Sequence, residues 1–327
     1  MLALLVAARL VNRYGSRIIA FLSLLLYSVL LACLGFAGNV FSLVVLLVLF
    51  GIAGNVANIA INTQSVAVEA RYGRPIMASF HGLWSLAGFT AAGIATLLLG
   101  RGVPTAAHFT GIGSLVAVAA VLTYPKLVRD NRQTSGQRKR FTLPDATLLR
   151  LGALAFCCLI CEGAMFDWSG VYFQKIVHAE RAWVGAGYTA FMSTMAGGRF
   201  VADWLTARAG FTRTLRISGL LIASGLALAV AFPTVPVSIA GFLLVGFGVS
   251  SVVPLVYSRA GRSTTVSPGS AIAIVTSIGF MGFLVGPPLV GLLAGLFSLR
   301  VSIAVVALVG VVIASVAGLV DRKAGQK

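Results

Sequence analysis

Leu10-Val11-Asn12-Arg13-Tyr14-Gly15 and Leu205-Thr206-Ala207-Arg208-Ala209-Gly210 share the pattern L-x-x-R-x-G at an offset of 195 residues. Each is a short polar interruption between long apolar runs. Gly51 and Gly246 keep the same offset, each in the middle of the second apolar run after its motif. A constant offset over that distance marks an internal duplication, and duplicated helical halves are a transporter signature.

The rest of the chain is what such a duplication needs. Of 327 residues, 58% are hydrophobic and only 10% are charged, with a mean hydropathy of +0.98. A soluble domain is nearer half apolar and about one quarter charged, so a soluble globular fold is excluded. The apolar runs are continuous and about 20 residues long, which suits membrane-spanning helices and not the alternating strands of about 10 residues in a β-barrel. Ten full-length spans are expected, near 18–37, 41–62, 77–99, 105–124, 147–173, 183–204, 214–232, 236–257, 270–293 and 300–320. Residues 1–8 reach only about 12 Å and cannot cross a hydrocarbon core of about 30 Å.

The formal net charge of +17 is decided by position. On one side of the spans lie Arg9, Arg13 and Arg17; Arg71 and Arg74; the seven Lys and Arg from Lys126 to Arg150; Arg199, Arg208, Arg213 and Arg216; Arg259 and Arg262; and Arg322, Lys323 and Lys327. Only Arg101, Lys175, Arg181 and Arg300 lie on the other. The positive-inside rule makes the rich side cytoplasmic and puts the C-terminus there. The charge therefore reports orientation in a cell membrane, inner or plasma, and not nucleic-acid binding. A basic linker, 125–146, with Gln137-Arg138-Lys139-Arg140 and Pro144, separates an N-terminal bundle, 1–124, from a six-helix C-terminal bundle, 147–327. It is a solvated connection or a contact for anionic lipid.

Subtracting 195 from the first two helices of the second half leaves the first half short of one whole helix and of roughly a dozen residues of the next. The reading is ten complete transmembrane helices plus the inner end of helix 2, with helix 1 absent. About 45 to 60 residues are expected upstream of Met1 in the functional ancestor.

Six plus six helices, a basic central linker and repeated loop motifs resemble the major facilitator superfamily over the whole chain. The loop Asn12-Arg13-Tyr14-Gly15-Ser16-Arg17 is similar to its D-R-x-G-R-R gating motif, with Asn12 where an Asp is usual. Further stretches resemble the branch around rhizopine-type (MosC-like) and fucose-permease-like transporters. They are Glu69-Ala70-Arg71-Tyr72-Gly73-Arg74, His81-Gly82-Leu83-Trp84-Ser85, the run from Glu162 to Ser169, Gly198-Arg199-Phe200, and the run from Gly279 to Pro288. The resemblance implies an all-α, two-bundle membrane fold that works by alternating access.

Charged groups in hydrocarbon cost a few kcal/mol or more and default to function. Glu162, about 22 Å into its helix, is the proton-coupling candidate, and Ser169 shares its face. Asp167 lies nearer the outer surface on another face. Asn55, Asn58 and Asn62 repeat at helical spacing, with Glu69 in line if the helix continues, so one face is polar and turns to a neighbouring helix or to a cavity. The resemblance implies that the first and fourth helices of each half line the central cavity, which adds Ser250, Ser251 and Tyr257. His81, Ser85 and Trp84 cluster near the start of their span, either as titrating or sugar-stacking groups or as an interfacial anchor. Arg199 and Asp203, spaced i and i+4 at the inner end of their helix and close to Arg208, form a gating cluster or a static ion pair. With Arg13, Gly15, Arg17 and Gly210 they complete the gating candidates.

Cys158 and Cys161 have C-x-x-C spacing but sit in an apolar run, where thiols pack as small hydrophobes. No metal, cofactor or enzymatic chemistry is expected, since G-x-S-x-G, H-E-x-x-H and Walker patterns are missing. The expected function is secondary active transport, proton-coupled, of a small polar, sugar-like solute by a monomer in the lipid bilayer. The competing readings are a drug or metabolite exporter and a transport-incompetent fragment.

Overall fold

The computed structural model describes residues 2–129 and 145–321. The basic run 137–140, Pro144, most of the 125–146 linker, and Arg322, Lys323 and Lys327 lie outside the described residues. Eleven α-helices are described: α1 (Leu2–Tyr14), α2 (Ser16–Leu34), α3 (Val40–Tyr72), α4 (Met77–Gly100), α5 (Thr105–Thr123), α6 (Ala146–Lys175), α7 (Ala186–Ala209), α8 (Phe211–Ala231), α9 (Val235–Gly261), α10 (Pro268–Leu296) and α11 (Leu299–Asp321). No strand occurs among the described residues. Eight helices are long and apolar enough to cross a membrane: α2, α3, α5, α6, α8, α9, α10 and α11. At 24 residues each, α4 and α7 are long enough but stand outside that set. In α7 the reason is composition, since it carries Thr189, Ser193, Thr194, Arg199 and Asp203.

The duplication is visible in the backbone. Helix α1 ends at Tyr14 and α7 at Ala209; α2 begins at Ser16 and α8 at Phe211; α3 begins at Val40 and α9 at Val235. Each pair keeps the 195-residue offset. A single glycine joins the helices in both copies, Gly15 at φ 86°, ψ 149° and Gly210 at φ 79°, ψ 165°. That combination is essentially restricted to glycine, which gives the last residue of the motif its physical meaning. The stretch 9–14, expected as loop, is therefore the C-terminal part of α1. Arg13 and Arg208 occupy last helical turns, where a cation suits the exposed carbonyls.

The expected end of the third run at 62 is also too early. Helix α3 continues to Tyr72 over 33 residues, about 50 Å, so Glu69 does fall in line with the asparagines. Other helix ends are capped by side chains. Asp145 accepts a 2.8 Å hydrogen bond from the N–H of Leu148 at the start of α6. Arg150 donates to the carbonyl of Leu319 near the end of α11 at 2.7 Å, and Arg300 to those of Val230 and Ala231 at the end of α8 at 2.8 and 3.3 Å. Basic residues thus satisfy orphan carbonyls at helix ends.

The residues form two compact units. One comprises Met1–Tyr72, Ser85–Leu143 and Gly261–Ala273; the other Gly73–Trp84, Pro144–Ala260 and Ile274–Lys327. In the first, α2 packs on α3 and α5, and α1 lies on α3. In the second, α11 packs on α8 and α6, and α7 on α6 and α8. There α10 comes very close to α6: a Cβ at Gly282 would meet the carbonyl oxygen of Phe156, and one at Gly286 that of Ile160. Small residues permit such contact in a membrane, where packing replaces the hydrophobic drive. Trp168 donates its Nε1–H to the carbonyl of Pro287 at 3.0 Å, satisfying backbone where the Pro287-Pro288 pair interrupts α10.

Candidate functional site

The second unit brings together residues that lie far apart in the chain. Because α7 runs to Ala209, Arg199 is not at the inner end of its helix but ten residues short of it, about 15 Å. Its side chain is 6% exposed. Nη1 donates to the backbone carbonyl of His81 on α4 at 3.2 Å. Glu162 of α6, half-buried, interacts electrostatically with Arg199 and also with Cys158, Cys161 and Tyr257. The His81 and Tyr257 rings are tilted, with centroids 5.9 Å apart. The cluster therefore draws on α4, α6, α7 and α9.

Asp203 lies one turn beyond Arg199. Its carboxylate accepts hydrogen bonds from the backbone N–H groups of Ala78 at 3.0 Å and Ser79 at 2.7 Å. These are among the N-terminal donors of α4 that have no partner inside their own helix. A carboxylate there satisfies both and faces the positive end of the helix dipole. Phe200, between the two charged residues, fills the space where a side chain at Gly82 would project.

The other residues of this unit separate by environment. Ser250 is buried, packs against Gly198, and donates to the carbonyl of Phe247 at 2.6 Å. Ser251 pairs with Ser218 of α8 at 2.6 Å. Ser169 is buried and its hydroxyl has no hydrogen-bond partner. Cys158 points its thiol at the carbonyl of Val249 at 3.8 Å. Trp84, 73% exposed, is not enclosed with His81, and Asp167 is exposed as well. Arg208 lies over the ring of Trp204 at 4.4 Å.

In the first unit, the asparagine face of α3 satisfies itself locally. Asn55 donates its side-chain amide to the carbonyl of Gly51 at 2.8 Å, and Asn62 donates to the carbonyl of Asn58 at 2.9 Å. These bonds run back along the same helix instead of crossing to a neighbour. The interhelical polar contact falls to Gln64, which sequence reading passed over. It donates to Ser16 at 2.7 Å and to the Val128 carbonyl at 3.0 Å, and accepts from the Val128 N–H at 3.0 Å. Glu69, 1% exposed, makes a 2.8 Å ion pair with Arg262, a pairing 193 residues apart. Asn12 donates to Ser270 at 2.7 Å and accepts from Ser267 at 2.6 Å, at the start of α10. Arg13 and Arg17 lie over the rings of Tyr14 and Tyr124 at 5.2 and 4.4 Å. Among the described residues, no three His, Cys, Asp or Glu side chains are placed to hold a metal ion.

This arrangement can be set against known proteins. The family model of the Major Facilitator Superfamily matches residues 1–267 and, in a second overlapping match, 178–326. An uncharacterized MFS-type transporter of Yersinia pestis is 32% identical over 265 residues, covering 81% of this chain and 69% of its own. The membrane protein MosC of Rhizobium meliloti is 31% identical over 317 residues, covering 96% of this chain and 77% of its own. Among solved structures, the transporter FucP in the outward conformation superimposes with a TM-score of 0.83 at 14% identity, covering 99% of this chain and 87% of that one. The proton:xylose symporter XylE gives 0.73 at 12% identity, covering 96% and 82%.

Proposed function

The chain belongs to the major facilitator superfamily, and from that membership we propose that it is a proton-coupled secondary transporter of a small polar, sugar-like solute. Membership makes it a multi-pass membrane transporter and not an enzyme. What goes beyond membership is the coupling ion, the solute class and the residues. The observation that carries the coupling is Glu162, a carboxyl set among apolar helices next to the buried Arg199. An ionisable pair at that depth is retained against a substantial desolvation cost. Glu162 takes up and releases the proton, and Arg199 balances its charged form.

The solute is met by neutral polar groups: Asn55, Asn58 and Asn62 on α3 and, in the other unit, His81, Ser169, Ser250 and Tyr257. FucP is a fucose:proton symporter and XylE a proton:xylose symporter, which supports a sugar-like class here. Alternating access moves the bundles 1–124 and 147–327 about the linker 125–146, with Arg13, Gly15, Arg17, Arg199, Asp203, Arg208 and Gly210 forming the gating elements. The transporter works as a monomer in the cell membrane with the arginine-rich side and the C-terminus cytoplasmic.

Uptake of a panel of labelled monosaccharides into proteoliposomes, with and without an imposed proton gradient, tests the reading. Accumulation that requires the gradient and collapses with a protonophore is expected. Uptake that only equilibrates, with the same rate in both conditions, would overturn proton coupling.

A further inference from the structure

We propose that the starts of α7 and α9 hold a separate binding subsite for a neutral, ring-shaped polyol, which docks on the Trp183 indole before it reaches the deeper polar groups. The inference rests on the sugar-like solute class proposed above and adds the place where that solute is first held.

A cavity of about 500 Å³ lies between the single 3-10 turn Arg181–Trp183, the first two turns of α7 and the N-terminal part of α9. That volume falls within the roughly 300–1,000 Å³ of small-molecule sites. All of its lining belongs to the second unit. Both helix starts lie opposite the ends that carry Arg208 and Arg259, which is the outer side in the orientation proposed above. Ser193 is the lining residue of α7 nearest to Arg199, and it stands six residues short of it, about 9 Å along the axis. The cavity is therefore distinct from the cluster around Glu162.

Residue type explains each wall. Small residues leave the space: Ala186 lines it, and a Cβ at Gly185 would meet nothing within 4 Å. Thr189 and Ser193 are four residues apart and share one face of α7. They are exposed, and they are among the polar residues that set this helix apart from its apolar neighbours. Trp183, 50% exposed, offers an indole face. Ile239 and Leu243 close the α9 side with apolar surface.

The hydroxyls decide which ligand fits. A hydroxyl has one proton to donate and two lone pairs with which to accept. Thr189 gives its proton to the Gly185 carbonyl at 3.0 Å, and Ser193 gives its own to the Ala190 carbonyl at 2.9 Å. Both thus present lone pairs, about 6 Å apart along the axis, to a ligand that must bring donors. Among the described residues no charged side chain lines the cavity, so an ionic ligand finds no counter-charge to offset its desolvation. A purely apolar ligand would cover the two acceptors without satisfying them. A ring with C–H groups on its face and hydroxyls on its edge meets both the indole and the lone pairs. With only two such acceptors and exposed walls, the affinity falls in the millimolar range.

Alkylation protection in the full chain, held in nanodiscs, tests the subsite. Ser193→Cys is reacted with N-ethylmaleimide, and the peptide that contains it is read by mass spectrometry, which keeps the four native cysteines out of the signal. Fucose and xylose, as probes at about 50 mM, are expected to slow the reaction about sixfold, the factor 1 + [L]/Kd for a dissociation constant of about 10 mM. Glycerol, which has no ring, and tetramethylammonium, a cation, are expected to leave the rate unchanged. Adding Trp183→Ala is expected to abolish the protection, and Trp183→Phe to keep part of it. No protection by either sugar, protection that survives Trp183→Ala, or protection by tetramethylammonium alone overturns the subsite. Gly197→Cys, one turn further along α7, separates docking from a change of shape: equal protection there that survives Trp183→Ala overturns it as well. If Ser193→Cys does not fold, Thr189→Cys takes its place. Gradient-driven sugar uptake without protection rejects the subsite and leaves the transport reading intact. Protection without any sugar uptake rejects the transport reading and leaves the subsite.

Discussion

A buried guanidinium is tolerated in an apolar bundle only if its charge is met. Arg199 is 6% exposed and is met by Glu162 and by the His81 carbonyl. Arg199→Ala should therefore cost about 3–5 kcal/mol, because it leaves a carboxyl without its counter-ion. The measurement is the thermal midpoint in detergent, and the double variant Arg199→Ala/Glu162→Gln should recover part of the loss by removing the orphaned charge. An additive double variant would show that the two groups do not act as a pair. Glu162 was legible from sequence because an acid inside an apolar run carries its own signal. The partners of Asp203 were not, since they are backbone donors 124 and 125 residues away. Backbone groups leave no residue-type signature. Gln64 was missed for a related reason: one amide near the end of a long apolar run breaks no pattern, although it ties three segments together.

At the scale of helices, the L-x-x-R-x-G repeat announced two equivalent joints, and the backbone gives each glycine a conformation that a side chain strains. Gly210→Ala is expected to destabilise by about 1–3 kcal/mol. Gly197→Ala, inside α7 with open space around it, should be neutral or slightly favourable. Paired melting curves of the two variants check this, and equal losses would contradict it. The α6–α10 contact makes a parallel case: Gly282→Ala, facing the Phe156 carbonyl, should cost about 1–3 kcal/mol through overpacking, while Gly295→Ala, with nothing near it, should cost little. Helix boundaries were less legible than helix identities. Polar residues at 9–14 and 63–72 read as loop, yet α1 runs to Tyr14 and α3 to Tyr72, because hydropathy marks where a helix leaves hydrocarbon and not where its hydrogen bonds stop. The asparagine face shows the same limit, since its spacing disclosed a polar stripe and not that the amides would bond back to their own helix.

For the molecule as a whole, duplication, orientation and function are connected by charge. By the sequence reading most Lys and Arg lie on one side, acids are few, and Glu162 is one of the few that fall inside an apolar run. If that scarcity reflects a single proton site, solute and proton must move together through it. Family membership was legible in the loop motifs, and the fold similarity to proton symporters agrees with it, but neither fixes the ion. The direct measurement is proton movement driven by solute alone: adding solute to proteoliposomes without an imposed gradient, while a trapped dye reports internal pH. The expected result is that the interior acidifies as solute enters through the wild type, and does not through Glu162→Gln although solute still equilibrates. Solute entry without any pH change in the wild type, or an unchanged signal in Glu162→Gln, would contradict proton coupling at this carboxyl.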